Sequence, residues 1–273
     1  MDDPDLKAPI NLLRGFSQVE AVGLSGSSTR GVKDSWSDTD LCVFVSGPIP
    51  IIQNRQDYYT SQGVSDIKYL DGDLEVSRID GLNLAGETYD FLWMSLSETR
   101  SHLVVLETDF DSDEYLAGGL QGTRALYDPA GHIQALQGLV PEYTDERALH
   151  RVRNHLEKAH FSIFGLDWAR KASARNDTFS YSFNLNVVVD HFVSALLALN
   201  RKWRCHEKRI LQQIDELSLG PHNASARVNS VLLFKDADRD LVVNSDHVKQ
   251  LFAELSSLAM DVFPDLELPA FPT

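Results

Sequence analysis

The sequence is short of cysteine, of basic residues and of long apolar runs, and each shortage excludes a class of protein. Its two cysteines, Cys42 and Cys205, are far apart and have no ligand-like neighbours. A disulfide framework or a thiolate zinc site is therefore not expected, and a reducing compartment is the default. No apolar run approaches the roughly 20 residues that span a bilayer. Three of the first five residues are acidic, where a secretion signal needs a basic start, so we expect a cytoplasmic protein.

Basic residues are few, and acidic residues outnumber them. The 273 residues include 25 Lys and Arg against 40 Asp and Glu, which gives a formal net charge of −15. A protein that grips a nucleic-acid backbone needs a basic surface, so nucleic acid is disfavoured as a partner. A cationic small substrate would be drawn to such a surface. The apolar share of 43% is ordinary for a folded chain.

The pattern of apolar residues differs between the two halves of the chain. The first half has short apolar segments separated by turns, and the pair Asp71-Gly72 predicts a hairpin. From about Glu142 onward, apolar residues recur at helical spacing. We predict an α+β protein with an N-terminal domain over residues 1–140 and a C-terminal helical bundle over residues 141–273. Strands are predicted at residues 19–24, 41–45, 67–70, 74–79 and 125–129.

An Asp-x-Asp motif carries the main chemical prediction. Side chains alternate across a strand, so Asp38 and Asp40 point to the same face. Two carboxylates so close repel each other unless a cation lies between them, which makes the pair a natural site for Mg²⁺. Upstream, Gly26-Ser27 follows a predicted strand and opens a helix. Backbone N–H groups and the Ser27 hydroxyl would hold phosphate oxygens at that point.

A third carboxylate facing this pair would complete a two-metal site and serve as a general base. Glu75 is the candidate, because it is a charge flanked by the apolar residues Leu74 and Val76. Asp73 lies on the same strand face by period two and stays open as the rival. A phosphate-binding turn beside three carboxylates suits the activation of a nucleoside triphosphate for attack on its α-phosphorus.

These motifs resemble those of the DNA-polymerase-β-like nucleotidyltransferases. The resemblance rests on Gly26-Ser27, Arg30-Gly31 and the segment Ser37 to Leu41. Within the superfamily the sequence is most similar to the small-molecule group of aminoglycoside and lincosamide nucleotidyltransferases. The segment 74–77 resembles the one that carries the catalytic glutamate in streptomycin/spectinomycin adenylyltransferases.

The resemblance implies a polymerase-β-like N-terminal fold, a Mg²⁺ cofactor and ATP as co-substrate. AMP would pass to a hydroxyl of a small molecule, such as an aminoglycoside antibiotic, bound with help from the helical domain. Asp38, Asp40 and Glu75 would hold metal, with Glu75 accepting the proton of the acceptor. The phosphate-binding residues it implies are Gly26, Ser27, Arg30 and Lys208.

Several residues admit roles outside the metal and phosphate sites. Arg30 could instead pair with a carboxylate and hold its loop. Asp177 and Asp190 are candidate contacts for an amine-bearing acceptor. Arg153 and His160 loosely resemble the Arg…His motif of HEPN-type ribonucleases. The alternative function is an antitoxin-like or regulatory module of the same fold that binds a protein partner.

Overall fold

The computed structural model describes residues 6–29, 31, 34, 36–72, 77–166, 169–233 and 241–268. The chain divides into two compact units, Met1–Pro141 and Glu142–Thr273. The first is built on a mixed six-stranded sheet, and the described part of the second is helical. The predicted α+β architecture, with the sheet first and the helices after it, is confirmed.

The first unit alternates strands with short helices. Its elements are α1 (Lys7–Leu13), β1 (Val19–Leu24), α2 (Gly26–Thr29), β2 (Thr39–Val45), α3 (Ile52–Ser61), β3 (Lys68–Gly72), β4 (Ser77–Leu84), β5 (Glu87–Ser95), α4 (Leu96–Thr108), α5 (Tyr115–Gln121), β6 (Arg124–Tyr127) and α6 (His132–Gln137). The strands predicted at 19–24 and 41–45 are confirmed as β1 and β2, whereas β5 and α4 had not been predicted.

The strands lie in the order β3-β4-β5-β2-β1-β6. Strands β2 and β5 run parallel, and every other neighbouring pair is antiparallel. The parallel pair joins residues about fifty positions apart, because α3 and the β3–β4 hairpin are inserted between the two strands. The centre of the sheet therefore consists of β5, β2 and β1, and that is where the predicted acidic motif falls.

One face of the sheet is covered by the main core of the first unit. On β5 the alternation is clear, since Tyr89, Phe91 and Trp93 are buried and the residues between them are only half-buried. Aromatic rings from the opposing layer complete this core: Phe16 packs edge-on against Trp93 with ring centroids 5.1 Å apart. Because one face of β5 is taken up by the core, its remaining side chains must point to the other face.

A buried polar cluster sits within this core. Asp80 on β4 is fully buried and pairs with Nη2 of Arg55 at 3.1 Å. The Tyr59 hydroxyl and Nε1 of Trp93 each donate to Oδ2 of Asp80 at 2.8 Å. Burial raises the pKa of the Asp80 carboxyl, while Arg55, Tyr59 and Trp93 oppose that rise. Asp80 thus ties β4 to α3 and β5.

The second unit is organised around two long helices that pack against each other. In α7 the buried residues Ala148, Val152, Leu156 and Ala159 recur every three or four positions, which gives one apolar face. By length and composition α9 is also apolar enough to cross a membrane, but 56% of its apolar 18-residue window is buried inside the structure. The helices are α7 (Asp145–Leu166), α8 (Ala169–Arg175), α9 (Thr178–Leu199), α10 (Ile210–Asp215), α11 (Ala224–Leu233) and α12 (Leu241–Val262).

A pair of histidines joins α7 to α9. Nδ1 of His155 lies 3.3 Å from Nδ1 of His191, and Nη2 of Arg151 lies 3.3 Å from Nε2 of His155. A guanidinium can only donate, so Nε2 of His155 accepts and its Nδ1 carries the proton that His191 receives. Burial lowers the pKa of His155 to about 3, and the charge of Arg151 acts in the same direction. His155 is therefore a neutral, half-buried link between the helices.

Candidate active site

The turn after β1 lies directly against the acidic strand β2. Ser25 donates its backbone N–H to the carbonyl oxygen of Asp40 at 3.0 Å. Gly26 has a φ of +67°, in the left-handed region that favours glycine. A Cβ on Gly26 would lie 1.9 Å from Oδ2 of Asp40, so a side chain fits there only if the carboxylate moves. The turn and the Asp40 carboxylate are packed together.

The helix predicted to begin at Gly26-Ser27 is a single turn, α2, of four residues. The Thr29 hydroxyl closes it by donating to the Gly26 carbonyl oxygen at 3.1 Å. One turn carries little macrodipole, so phosphate binding here would rest on backbone N–H groups and on the half-buried Ser27. Arg30, the other residue predicted to bind phosphate in this loop, lies outside the described residues.

The Asp-x-Asp motif is placed at the start of β2. The strand begins at Thr39, earlier than the predicted start at Leu41, so Asp40 is inside it and Asp38 directly precedes it. Thr39 is buried, whereas Asp38 and Asp40 are half-buried. Alternation along the strand therefore sends both carboxylates away from the core-facing side of Thr39.

The carboxylate that faces this motif is Asp90, which the sequence analysis missed. Strands β2 and β5 are paired in parallel with Asp40 directly opposite Asp90. Residues paired in this way point to the same face, so two carboxylates lie side by side. Gly81 is paired with Asp90 on the other side, and a Cβ on Gly81 would lie 3.2 Å from Oδ1 of Asp90. Asp40 is thus bordered by Gly26, and Asp90 by Gly81.

Cys42 follows Asp40 by two residues on the same face, and its surroundings exclude it as a nucleophile. Burial raises the pKa of the Cys42 thiol, hydrogen bonds with Ser25 and Thr123 lower it, and the charge of Asp40 adds to the rise. The thiolate, which is the reactive form, is therefore disfavoured. The candidate reactive groups on this face are therefore the carboxylates.

The predicted third carboxylate, Glu75, and its rival Asp73 lie outside the described residues. The prediction of the hairpin itself is confirmed, because β3 and β4 pair antiparallel. Its predicted turn at Asp71-Gly72 is wrong, since both residues belong to β3 and pair with β4. The strand β4 begins at Ser77, so the argument that placed Asp73 and Glu75 on one strand face stays a prediction.

The residues singled out in the helical unit have local structural partners. Asp177 caps α9, its Oδ1 accepting the backbone N–H of Ser180 at 3.1 Å. Asp190 pairs with Nη2 of Arg204 at 2.7 Å. Lys208 is exposed in the turn before α10, with its backbone N–H donated to Nδ1 of His206 at 2.9 Å. Its predicted contact with a triphosphate stays a prediction.

Comparison with known proteins finds structural neighbours among the solved structures. No family model matches the chain, and no curated protein matches it. Among solved structures, the chain is similar to a nucleotidyltransferase-like protein from Exiguobacterium sibiricum, with a TM-score of 0.43 and 7% identity, over 97% of this chain and 80% of the other. A structural similarity at this level does not establish an activity.

Proposed function

We propose that this protein is a nucleotidyltransferase that moves a nucleoside monophosphate from a nucleoside triphosphate to a hydroxyl of a small molecule. The observation that carries the proposal is the in-register pair of Asp40 and Asp90 beside the Gly26 turn. Like charges directly opposite each other on one sheet face are unfavourable. A cation bound between the two carboxylates would offset this repulsion and would in turn bind a phosphate group.

The donor set fits Mg²⁺. Among the described residues, no three His, Cys, Asp or Glu side chains are close enough to form a complete metal cage. Mg²⁺ does not require one, because it is usually held by one or two carboxylates together with substrate phosphates and water. Asp40 and Asp90 would supply two hard oxygen ligands; Asp38 directly precedes the same strand but does not complete a three-carboxylate cluster with them. The absence of a side chain at Gly26 lets the Asp40 carboxylate pack directly against the turn.

Each residue then has a task in a single displacement at the α-phosphorus. The backbone at Gly26 and the Ser27 hydroxyl hold the leaving end of the triphosphate. The acceptor hydroxyl oxygen bonds to the α-phosphorus, and the bond from that phosphorus to the bridging oxygen breaks, releasing pyrophosphate. Asp90 receives the hydroxyl proton, the role that the sequence analysis gave to Glu75. Bound Mg²⁺ would neutralise the triphosphate and make the hydroxyl more acidic.

ATP is proposed as the donor and a small hydroxyl compound as the acceptor. Two motifs, Gly26-Ser27 and Asp38-Thr39-Asp40, resemble those of the small-molecule nucleotidyltransferases and support a small acceptor over RNA. The net charge of −15 also disfavours RNA as the acceptor. An aminoglycoside is the acceptor that the resemblance alone suggests.

The experiment is incubation with Mg²⁺, each labelled nucleoside triphosphate and a panel of small hydroxyl acceptors, scored for pyrophosphate release. We expect release that requires Mg²⁺ and that falls about 10²–10⁴-fold in Asp90→Asn, the usual cost of losing a general base. Glu87→Gln is the matched control, since it removes the same charge from an exposed position on the same strand.

Two outcomes would overturn the proposal. One is Mg²⁺-dependent transfer that survives in Asp90→Asn. The other is the absence of pyrophosphate release with every donor and acceptor, which would favour the regulatory module that binds a protein partner.

A further inference from the structure

A tryptophan stands in solvent in the loop that joins the Gly26 turn to the acidic strand β2. Trp36 is 92% exposed, whereas Trp93 and Trp203 are buried. An indole left in water forgoes one of the largest apolar areas that a side chain can bury. A single exposed apolar side chain is ordinary by itself, so its meaning depends on how it is held and on what lies beside it.

A hydrogen-bonded turn holds the backbone under this side chain. Oδ1 of Asp34 accepts the backbone N–H of Trp36 at 3.0 Å and the Ser37 hydroxyl at 2.8 Å. The backbone N–H of Asp34 donates to the Ser37 hydroxyl oxygen at 3.1 Å, and the backbone N–H of Ser37 donates to the Asp34 carbonyl oxygen at 3.1 Å. These bonds close the turn around Trp36, and its indole is presented to the solvent.

The loop that carries this turn begins and ends at the candidate active site. It leaves from Gly26, which packs against the Asp40 carboxylate, and returns at Asp38, directly before β2. Two residues of chain span at most about 7 Å, so the Cα atoms of Trp36 and Asp38 are no farther apart than that. The exposed indole is therefore held next to the head of the acidic strand.

The nucleotide of the proposed reaction carries a group that fits an exposed indole at this place. With its phosphates at the Gly26 turn and a cation between Asp40 and Asp90, its sugar and base extend outward from the α-phosphate. Every nucleobase has a π-face that stacks on an aromatic side chain, whereas a sugar acceptor has no such face. A purine covers more of an indole than a pyrimidine does, and it therefore stacks more strongly.

We propose that Trp36 stacks on the base of the donor nucleotide and gives the protein a preference for purine nucleoside triphosphates. This inference rests on the proposed function and deepens it. The Gly26 turn and the carboxylates act on the phosphate end, which all nucleoside triphosphates share. Trp36 would act on the end at which these donors differ.

The test compares three ligands that differ at the base: ATP, CTP and inorganic tripolyphosphate, which has none. Each is titrated calorimetrically in Mg²⁺ into the full chain. We expect the wild-type protein to bind ATP more tightly than CTP. Trp36→Leu should weaken ATP binding about tenfold, the effect of losing one stacked base. It should weaken CTP binding less and leave tripolyphosphate binding unchanged. Trp36→Phe, which keeps an aromatic ring, should retain most of the affinity for ATP.

Phe179→Leu is the matched control, because it removes an aromatic ring that is 82% exposed from α9 in the other unit. It should change none of the three affinities. Because Trp36 is exposed, Trp36→Leu should also keep the wild-type Tm, and a Tm lower by several degrees would overturn the inference by showing a structural role. Unchanged ATP affinity in Trp36→Leu, equal losses for ATP and CTP, or equal losses for ATP and tripolyphosphate would overturn it as well. Failure of the wild-type chain to bind any of the three ligands would instead count against the proposed function.

Discussion

The substitution Gly26→Ala adds one methyl group at the point where the turn meets the acidic strand. The new Cβ would lie 1.9 Å from Oδ2 and 2.8 Å from Cγ of Asp40, so the carboxylate has to move by more than an ångström. A misplacement of about 1 Å at a reacting centre can cost about 100-fold in rate. The φ of +67° adds backbone strain of about 1–2 kcal/mol for a residue with a Cβ.

Gly63→Ala separates these two effects. Gly63 also has a positive φ, of +76°, but nothing lies within 4 Å of its would-be Cβ. Both variants should therefore lose similar stability, a few degrees in Tm, measured by circular dichroism. Only Gly26→Ala should lose nucleotidyl transfer, by about 100-fold in pyrophosphate release. A fully active Gly26→Ala enzyme, or an equal loss of activity in Gly63→Ala, would refute the role of the turn in positioning Asp40.

Two further predictions concern stability. Arg55→Met leaves the buried Asp80 without its cationic partner and should lower the free energy of unfolding in urea by about 3–5 kcal/mol. Arg78→Met, which breaks the exposed pair with Glu98, should cost less than about 1 kcal/mol, and equal effects would contradict the account. Because the pKa of His155 is lowered to about 3 in the folded state, the unfolded chain binds more protons between that value and 6.5. Stability should therefore fall by about 1.4 kcal/mol for each pH unit as the pH drops through this window, and a slope unaffected by His155→Gln would show that another group is responsible.

The strands on either side of the Gly26 turn could be predicted from the sequence, because local patterns encode them. Gly26-Ser27 and the Asp-x-Asp motif each lie at a strand end, and their spacing can be read along the chain. Residues such as Val152 and Leu156 likewise mark α7 by their helical repeat. In these cases the physical constraint acts between near neighbours in sequence.

Asp90 could not be located in this way. It lies opposite Asp40 only through the parallel pairing of β2 with β5, which joins residues about fifty positions apart. A signal for the strand was present, since Tyr89, Phe91 and Trp93 alternate with less buried residues. Glu75 shows the same pattern of a charge between apolar neighbours, and its predicted role stays a prediction.

The central claim is that Asp40 and Asp90 hold one ion together with the nucleotide. The most direct measurement is a double-mutant cycle on the calorimetric affinity for ATP in Mg²⁺, using Asp40→Asn, Asp90→Asn and the combined variant. Groups that share a ligand are coupled, so the combined loss should fall short of the sum of the single losses by about 1 kcal/mol or more. Losses that simply add, or an affinity that neither substitution changes, would contradict a shared metal site.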